Sequence, residues 1–351
     1  MTHHIAVIPG DGIGKEVVPQ GIRVLEAAGR RFGFDFTWTS FDWNCERYVK
    51  TGRMMPEDGL DRLRAFDAIF LGAVGFPGVP DHVSLWGLLI PIRRSFRQYV
   101  NLRPVRFLKG VQSPLVGRKP GDIDLVIVRE NNEGEYSEIG GRLYRGTPEE
   151  LAVQQSVFTR HGCDRIIRYA FELALSRPGR HVTSATKSNG IIHTMPFWDE
   201  RFAAIAAEYP AVKADQYHID ILTAHFVRHP DWFDVVVASN LFGDILSDLA
   251  PALAGSIGLA PGADINPERE YPSMFEPVHG SAPDIAGRGI ANPIGQIWTG
   301  ALMLDHLDHA DAARAVVAAI ETVVADGTVL TPDLGGKAST ADVGAAIVAL
   351  I

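Results

Sequence analysis

Apolar and polar positions follow one another along the chain in patterns that predict strands followed by helices. Residues 5–8 form a short apolar run typical of a strand. A helix follows, because apolar or small residues then recur three or four positions apart, at Val18, Ile22, Leu25, Gly29 and Phe32. A second helix is predicted from Pro56, with Leu60, Leu63 and Phe66 on one face, and residues 68–71 predict another strand.

The same patterns continue to the C-terminal part of the chain. Further strands are predicted at residues 125–128, 181–184 and 233–238, and the last of these is almost wholly apolar, which predicts burial on both faces. The final clear helix carries Ala313, Val316, Val317, Ile320 and Val324 on one face. Because strands alternate with helices, the sequence predicts an α/β fold.

Composition narrows the class of protein. The chain of 351 residues is long enough for two domains or one large domain. Its 33 basic and 42 acidic residues give a formal charge of −9, which argues against a nucleic-acid-binding surface. Cys45 and Cys163 are too few for a disulfide framework or a cysteine zinc site, so a reduced cytoplasm is expected.

No membrane or targeting segment is expected from the sequence. The longest uncharged run, residues 249–263, is interrupted by Pro251, Gly255, Gly258, Pro261 and Gly262. A spanning helix needs about 20 apolar residues, so this run does not qualify. The N-terminus also lacks the apolar core of a signal peptide.

Three glycines follow the first predicted strand, in the order Pro9-Gly10-Asp11-Gly12-Ile13-Gly14. A dinucleotide-binding Rossmann loop has the pattern G-x-G-x-x-G with an acidic residue about 20 positions later, and neither feature is present. The glycines are therefore interpreted as a tight strand-to-helix turn that needs positive φ angles.

Arginines stand at the ends of apolar segments. Arg93 and Arg94 follow the apolar residues 85–92, Arg103 lies in Asn101-Leu102-Arg103-Pro104, and Arg129 ends a predicted strand. Guanidinium groups bind carboxylates through two parallel hydrogen bonds, so this placement suits a pocket for a dicarboxylic acid. Taken one by one, the arginines are better explained as solvated surface residues.

Two further segments carry candidate chemistry. If residues 240–248 form a helix, Asp244 and Asp248 lie on one face, where a hard cation such as Mg²⁺ or Mn²⁺ offsets their repulsion. The alternative is an exposed acidic face. The loop Glu276-Pro277-Val278-His279-Gly280-Ser281-Ala282-Pro283-Asp284 is compatible with an adenosine site or with an ordinary turn.

Taken together, these three segments closely resemble the β-decarboxylating dehydrogenase family, which includes isocitrate, isopropylmalate, homoisocitrate and tartrate/D-malate enzymes. The resemblance extends from Ile5 to the last helix. It implies an isocitrate/isopropylmalate dehydrogenase-like α/β fold and not a Rossmann fold: a large twisted mixed sheet flanked by helices, in two domains. Residues 1–100 plus 251–351 would form the cofactor-side domain, and residues 101–250 the substrate, metal and dimerisation domain.

The resemblance also implies where a dinucleotide binds. His279, Gly280, Ser281 and Ala282 would line the adenosine, with Asn292 near the adenine. Glu276 and Asn189 are further expected cofactor contacts. Asp284 stands where NAD-dependent members carry an acid for the ribose hydroxyls, and a carboxylate there would repel the 2′-phosphate of NADP, so NAD is expected.

Substrate, metal and catalytic residues follow from the same resemblance. Arg93, Arg103 and Arg129 would hold the carboxylates of a small dicarboxylic acid, and Asp220, Asp244 and Asp248 would bind Mn²⁺ or Mg²⁺. Lys187 matches the general base or proton relay, and Tyr136 matches the general acid. In related enzymes the lysine and the first aspartate come from a second subunit, which implies a homodimer with shared active sites. Activation by K⁺, known in the family, leaves no signal in these residues.

The choice of substrate depends on the segment before Arg93. Isocitrate enzymes present polar residues where this chain has Gly87 and Leu89, so isocitrate is not expected. Trp86 stands where isopropylmalate enzymes have an acidic residue, and its indole can fill the pocket for an isopropyl group. The segment most resembles the tartrate/D-malate branch, which implies NAD-dependent conversion of D-malate to pyruvate and CO₂, with tartrate as a related substrate. Two alternatives remain: 3-isopropylmalate dehydrogenase, and a non-catalytic binding or regulatory relative.

Overall fold

The computed structural model describes residues 1–351 and contains twelve strands and twelve α-helices. The strands are β1 (Thr2–Gly10), β2 (Asp35–Ser40), β3 (Ala68–Ala73), β4 (Val100–Arg106), β5 (Asp124–Glu130), β6 (Gly140–Leu143), β7 (Leu151–Gln154), β8 (His181–Thr186), β9 (Lys213–His218), β10 (Val235–Ala238), β11 (Ala263–Ile265) and β12 (Ser273–Phe275). The helices are α1 (Gly14–Phe32), α2 (Cys45–Thr51), α3 (Gly59–Leu63), α4 (Asp81–Ser84), α5 (Ile90–Ser95), α6 (Arg160–Ser176), α7 (Thr194–Ala206), α8 (Ile219–Arg228), α9 (Asn240–Ala254), α10 (Ile294–His306), α11 (Ala310–Asp326) and α12 (Thr340–Val348).

Ten strands form one mixed sheet in the order β2-β1-β3-β12-β11-β4-β5-β10-β8-β9, and β6 and β7 form a separate hairpin. The pairs β12–β11, β11–β4 and β4–β5 are antiparallel and the others are parallel. The predicted large mixed sheet flanked by helices is therefore confirmed. The predicted cofactor-side segments supply β2, β1, β3, β12 and β11, and the middle segment supplies the other half of the sheet. The division into two domains itself stays a prediction.

Most predicted elements are present with longer boundaries. The strands β1, β3, β5 and β8 and the helices α1 and α11 match their predictions, and β10 is buried along its whole length. Two expectations are wrong. Helix α3 covers only Gly59–Leu63, and α11 is not the final helix, because α12 follows it. Ser339 and Asp342 form a capping box at the start of α12, a local signal that the apolar spacing did not reveal.

The glycine-rich segment after β1 is a tight turn, as predicted. Gly10 and Gly12 have φ angles of 70° and 51°. The buried Asp11 carboxylate between them accepts backbone N–H bonds from Cys45 and Gly75. The turn thus attaches the start of α1 to two neighbouring loops.

Helix α1 and the residue before it also contact the loop between β12 and α10. The Glu16 side chain accepts N–H bonds from Gly287 and Gly289, and Ile13 and Val17 pack with Ala291 in a small apolar cluster. This contact fixes the position of the segment that contains the predicted adenosine site.

A helical segment of residues 81–95 contains an irregular turn. It consists of α4, a π-helical turn over Leu85–Leu89, and α5, with no break between them. None of the helices in the structure combines the length and the apolar character that crossing a membrane requires. Cys45 and Cys163 are both buried and form no disulfide.

Candidate active site

The register of three adjacent strands builds the floor of the site. Asp264 of β11 pairs with Asn101 of β4, and Asn101 pairs on its other side with Arg129 of β5. Residues directly opposite one another in a sheet project to the same face, and Arg103 follows two residues after Asn101 on that face. A carboxylate, an amide and two guanidinium groups therefore lie side by side, and all four are buried.

Arg103 and Arg129 are held by polar atoms from the sheet and from α9. The Nε of Arg103 donates to Oδ1 of Asn101 at 2.7 Å, and a terminal nitrogen donates to Oγ of Ser247 at 3.2 Å. Arg129 donates twice to Oδ1 of Asn240, at 3.0 and 2.7 Å, and forms a short ion pair with Asp244. Burial lowers the pKa of Arg129 to about 10, against the opposing effect of Asp244, so the side chain stays charged at neutral pH.

Arg93 reaches the same floor from α5. It forms a short ion pair with Glu276, and its Nε lies 3.3 Å from Oδ1 of Asp264. Burial alone would lower the pKa of Arg93, but the two carboxylates outweigh it and raise that pKa. Burial, opposed by Arg93 but reinforced by the nearby Asp264, raises the pKa of Glu276, whereas the pKa of Asp264, which burial would raise, is lowered by Arg93. The negative charge of the pair therefore lies mainly on Asp264. Glu276 was predicted to contact the cofactor, and the structure shows it in contact with Arg93.

Helix α9 brings two carboxylates over this floor. Asp244 and Asp248 lie four residues apart on one face, as predicted. Burial would raise the pKa of Asp244, but Arg129 and the hydroxyl of Tyr136 lower it, whereas burial raises the pKa of Asp248. Gly243 permits the close packing of α9 on β5, because a Cβ atom there would lie 2.6 Å from Cβ and Cγ of Arg129.

Tyr136 contacts both Arg129 and Asp244. Its hydroxyl donates to Oδ2 of Asp244 at 2.5 Å, and its ring centroid lies 5.4 Å from the guanidinium carbon of Arg129. Burial and the bond to Asp244 raise the pKa of Tyr136 to about 12. The phenol is therefore protonated at neutral pH, and its proton is available for donation.

Lys187 and Asp220 form a separate pair. Nζ of Lys187 lies 2.8 Å from Oδ1 of Asp220, at the C-terminal end of β8 and the first turn of α8. The bond to Lys187 lowers the pKa of Asp220, whose side chain is 66% exposed. No group of three or more histidine, cysteine or acidic side chains in the chain is close enough to hold a metal ion, so Asp220 does not join Asp244 and Asp248 within one chain.

The segment between β12 and α10, here called the adenosine loop, contains the residues that the sequence predicts to contact adenosine. Its position is set by the N–H of Ile13, which donates to the carbonyl of Ser281 at 2.9 Å, and by Gly12, where a Cβ atom would lie 2.0 Å from that carbonyl oxygen. Ala282 adopts a positive φ of 40°, which is uncommon for alanine. Gly280 has open space around it.

The polar groups of this loop fit a dinucleotide. The Nδ1 atom of His279 donates to the carbonyl of Gly280 at 3.0 Å, whereas its Nε2 atom is buried and has no hydrogen-bond partner. Burial lowers the pKa of this imidazole, so Nε2 of the neutral ring can accept one bond from a ligand. The Asp284 carboxylate is exposed and forms no ion pair. Asn292 bonds to Asp333 and to the N–H of Ile294. Asn189 lies exposed in the turn after Lys187.

Two of the three predicted metal ligands, Asp244 and Asp248, are placed to bind a hard divalent cation. Asp244 and Asp248 supply carboxylate oxygens on one helix face, which is the chemistry that Mg²⁺ and Mn²⁺ prefer.

Trp86 and Leu89, the predicted specificity residues, lie half-buried on the π-helical turn before Arg93. Three residues that orient the arginines, Asn101, Asn240 and Asp264, were not predicted as site residues. Asp264 could have been noticed from the sequence, because it is a charged residue within the apolar segment Gly262-Ala263-Asp264-Ile265.

Comparison with known proteins places this geometry in a family. The protein-family model described as isocitrate/isopropylmalate dehydrogenase matches residues 4–347 of the chain. The chain belongs to the isocitrate/isopropylmalate dehydrogenase family. Enzymes of this family are generally NAD(P)- and divalent-metal-dependent.

Two curated relatives and one solved structure are closely similar to this family member. The chain is 59% identical to D-malate dehydrogenase [decarboxylating] of Escherichia coli over 357 residues, covering 100% of this chain and 99% of the relative. It is 59% identical to tartrate dehydrogenase/decarboxylase of Pseudomonas putida over 354 residues, covering 99% and 97%. The crystal structure of isocitrate dehydrogenase from Methylococcus capsulatus superposes with a TM-score of 0.90 at 37% identity, covering 99% of both chains.

The contact between Gly243 and Arg129 leads to a first prediction. Gly243→Ala should destabilise the protein by about 1–3 kcal/mol because the added methyl group overpacks the α9–β5 contact. Gly300→Ala in α10 is the matched control, because the atoms nearest to its Cβ would be side-chain carbons of Leu25 at 3.1–3.2 Å, farther away than those of Arg129 at Gly243. Urea unfolding should find the control unchanged or stabilised by up to about 1 kcal/mol. Equal effects of the two substitutions would contradict the packing argument.

The contact between Gly12 and Ser281 leads to a second prediction. Gly12→Ala should raise the KM for the dinucleotide by about tenfold, because the methyl group displaces the adenosine loop. Gly33→Ala is the control, since Gly33 has a φ of 82° but nothing within 4 Å of its Cβ position. The control should lose about 1 kcal/mol of stability from backbone strain with an unchanged KM. A similar KM in both variants would mean that Gly12 does not position the loop.

Proposed function

We propose that this chain converts D-malate to pyruvate and CO₂ with reduction of NAD, and that tartrate is a related substrate. The observation that carries the proposal is the convergence of Arg93, Arg103 and Arg129 beside Asp244 and Tyr136 at one face of the sheet. The high identity to relatives named for D-malate and tartrate supports this choice of substrate.

The arginines bind the substrate's two carboxylates. Guanidinium groups pair with carboxylates through parallel N–H donors, and those of Arg103 and Arg129 are already oriented by Asn101 and Asn240. Because this orientation exists before the substrate binds, little conformational entropy is lost on binding. Asp244 and Asp248 would hold Mn²⁺ or Mg²⁺ together with Asp220 from a second copy of the chain. When bound, the cation supplies positive charge that stabilises oxygen atoms as they become anionic.

Two side chains move the protons of the reaction. Lys187 takes the proton of the C2 hydroxyl. A dinucleotide held by the loop of His279 and Asp284 would supply the acceptor for the hydride of C2, and the oxidised substrate is a 2-keto diacid. The bond between C3 and its carboxylate then breaks, CO₂ departs, and the electron pair remains as the enolate of pyruvate. Tyr136, whose phenol is protonated at neutral pH, donates its proton to C3.

The cofactor is proposed to be NAD because Asp284 is an exposed carboxylate without a cationic partner. Such a group accepts hydrogen bonds from ribose hydroxyls and repels a 2′-phosphate. We place the protein in the reduced cytoplasm, which agrees with its two free, buried thiols.

The substrate preference rests on the helical segment before Arg93. Gly87 and Leu89 offer no polar side chain for the third carboxylate of isocitrate. The guanidinium carbon of Arg94 lies 4.9 Å from the centroid of the Trp86 ring, and the same guanidinium bonds to the carbonyl of Tyr136 at 2.7 Å. The indole thus lies against Arg94, which is bonded to the backbone of Tyr136, and we propose that it limits the space for a large C3 substituent.

NADH formation with D-malate, both tartrates and 3-isopropylmalate tests the proposal. With Mn²⁺ and K⁺ present, kcat/KM for D-malate should exceed that for 3-isopropylmalate by about tenfold or more, equal to about 1.4 kcal/mol of transition-state binding. A preference for 3-isopropylmalate would show that Trp86 does not fill the pocket. Stabilisation by Mn²⁺ plus D-malate without turnover would instead indicate a non-catalytic relative.

We further propose that the active protein is a homodimer. Several apolar side chains are exposed near the isolated Lys187–Asp220 pair and α9. They are Ile191, Ile192, Ile221, Val227, Leu241 and Ile245, and the hairpin of β6 and β7 adds Leu143, Leu151 and Val153. An apolar surface of this extent is typical of an interface, and a second copy there would supply the lysine and the third aspartate that the site lacks within one chain.

Mixing two inactive variants tests the shared site. Lys187→Ala and Asp248→Asn homodimers should each be inactive. Unfolding and refolding them together should restore about one quarter of wild-type kcat, since half of the dimers are hybrids and each hybrid has one intact site. No recovery in hybrids verified by mass spectrometry would place all catalytic residues within one subunit.

A further inference from the structure

Arg94 lies next to the substrate-binding arginine, yet its side chain points elsewhere. Arg93 is buried against Asp264 and Glu276, whereas the Arg94 side chain is 31% exposed and makes three contacts. One terminal nitrogen donates to the backbone carbonyl of Tyr136 at 2.7 Å, and the other pairs with Glu138 at 2.9 Å. The face of the guanidinium lies over the indole of Trp86.

The π-helical turn is what makes the contact between Arg94 and Trp86 possible. Residues eight apart on a regular α-helix differ by about 80° around the axis, at about 100° per residue. A π-helical turn closes i to i+5 hydrogen bonds and so contains about one residue more than an α-helical turn. The turn at Leu85–Leu89 therefore rotates Trp86 into line with Arg94 while Arg93 still faces the buried carboxylates.

We propose that Arg94 is a positioning residue that couples substrate discrimination to proton donation. Its guanidinium plane fixes the orientation of Trp86, and its bond to the Tyr136 carbonyl fixes the backbone from which the phenol reaches Asp244. The inference rests on the proposed function, in which Trp86 fills the pocket and Tyr136 is the proton donor.

A planar guanidinium is suited to both tasks. It stacks on an aromatic face and at the same time donates in its own plane, which a lysine ammonium cannot do. Glu138, whose side chain is 71% exposed, pairs with one end of the group, and the Tyr136 carbonyl accepts at the other. Since none of these contacts involves the substrate, loss of Arg94 should change kcat and substrate preference more than the KM for D-malate.

Steady-state kinetics of Arg94→Met and Arg94→Lys with D-malate and 3-isopropylmalate test the inference. In the methionine variant, kcat for D-malate should fall by about tenfold with KM changed less than about twofold, because proton donation loses its geometry. The ratio of kcat/KM between the two substrates should fall by about fivefold. The lysine variant should recover part of kcat through a bond to the carbonyl, but not the ratio, because it cannot stack.

Arg97→Met is the matched control. Arg97 also pairs with a glutamate, Glu270 at 2.9 Å, and lies 5.7 Å from the ring centroid of Tyr271, but it touches neither Trp86 nor Tyr136. It should keep wild-type kinetics. If Arg94→Met and Arg97→Met behave alike, the positioning role is wrong, and if Arg94→Lys restores the ratio, stacking is not its basis.

A double-mutant cycle with Trp86→Leu separates the two contacts. Once the indole is absent, Arg94→Met should no longer change the substrate ratio but should still lower kcat. Additive effects on the ratio would overturn the proposed link through Trp86. If Arg94→Met does not fold, as judged by thermal unfolding, Arg94→Lys carries the same test.

The wild-type enzyme distinguishes this inference from the proposed function. Wild-type activity with an unaffected Arg94→Met variant overturns the inference alone. A wild-type protein that turns over neither substrate overturns both. A wild-type preference for 3-isopropylmalate overturns the substrate assignment, and the effect of Arg94→Met on kcat then decides its contact with Tyr136.

Discussion

Three guanidinium groups buried at one face of a sheet impose the constraint on which the rest of the structure depends. Removing a charge from water is costly unless an opposite charge and hydrogen-bond acceptors surround it. Asp264, Glu276 and Asp244 supply the charge, and Asn101 and Asn240 supply the acceptors. This arrangement exists only because β11, β4 and β5 pair in one register, so a shift by a single residue would turn the groups to the opposite face.

Close packing between elements keeps these groups in place. Helix α9 reaches Arg129 because Gly243 has no side chain, and the loop at Ser281 reaches the first turn of α1 because Gly12 has none. In both places the absence of a side chain on the glycine allows the close approach of a segment that carries predicted site residues. The π-helical turn before Arg93 acts differently: by adding one residue to a helix, it brings Trp86 into line with Arg94.

The residues proposed for catalysis do not all come together within one chain. The three buried arginines lie together with the half-buried Tyr136 and Asp244, and Asp248 is exposed one turn further along α9. Lys187 and Asp220 instead pair with each other at a separate position. The apolar side chains around them remain in contact with water. Association of two chains would bury this surface and complete the site in one step, so assembly and activity would be thermodynamically linked.

Local patterns in the sequence determined the alternation of strands and helices, the glycine turn after β1, and the placement of Asp244 and Asp248 on one helical face. These features depend on periodicity and backbone preference over a few residues, which the sequence displays directly. The tertiary structure decided the rest. It placed Glu276 on Arg93, Asp264 beside Asn101, and Trp86 under Arg94. The first two contacts join residues 183 and 163 positions apart, and the third depends on one extra residue in a helical turn. No local pattern specifies them, because they follow from strand register and from packing between elements distant in the chain.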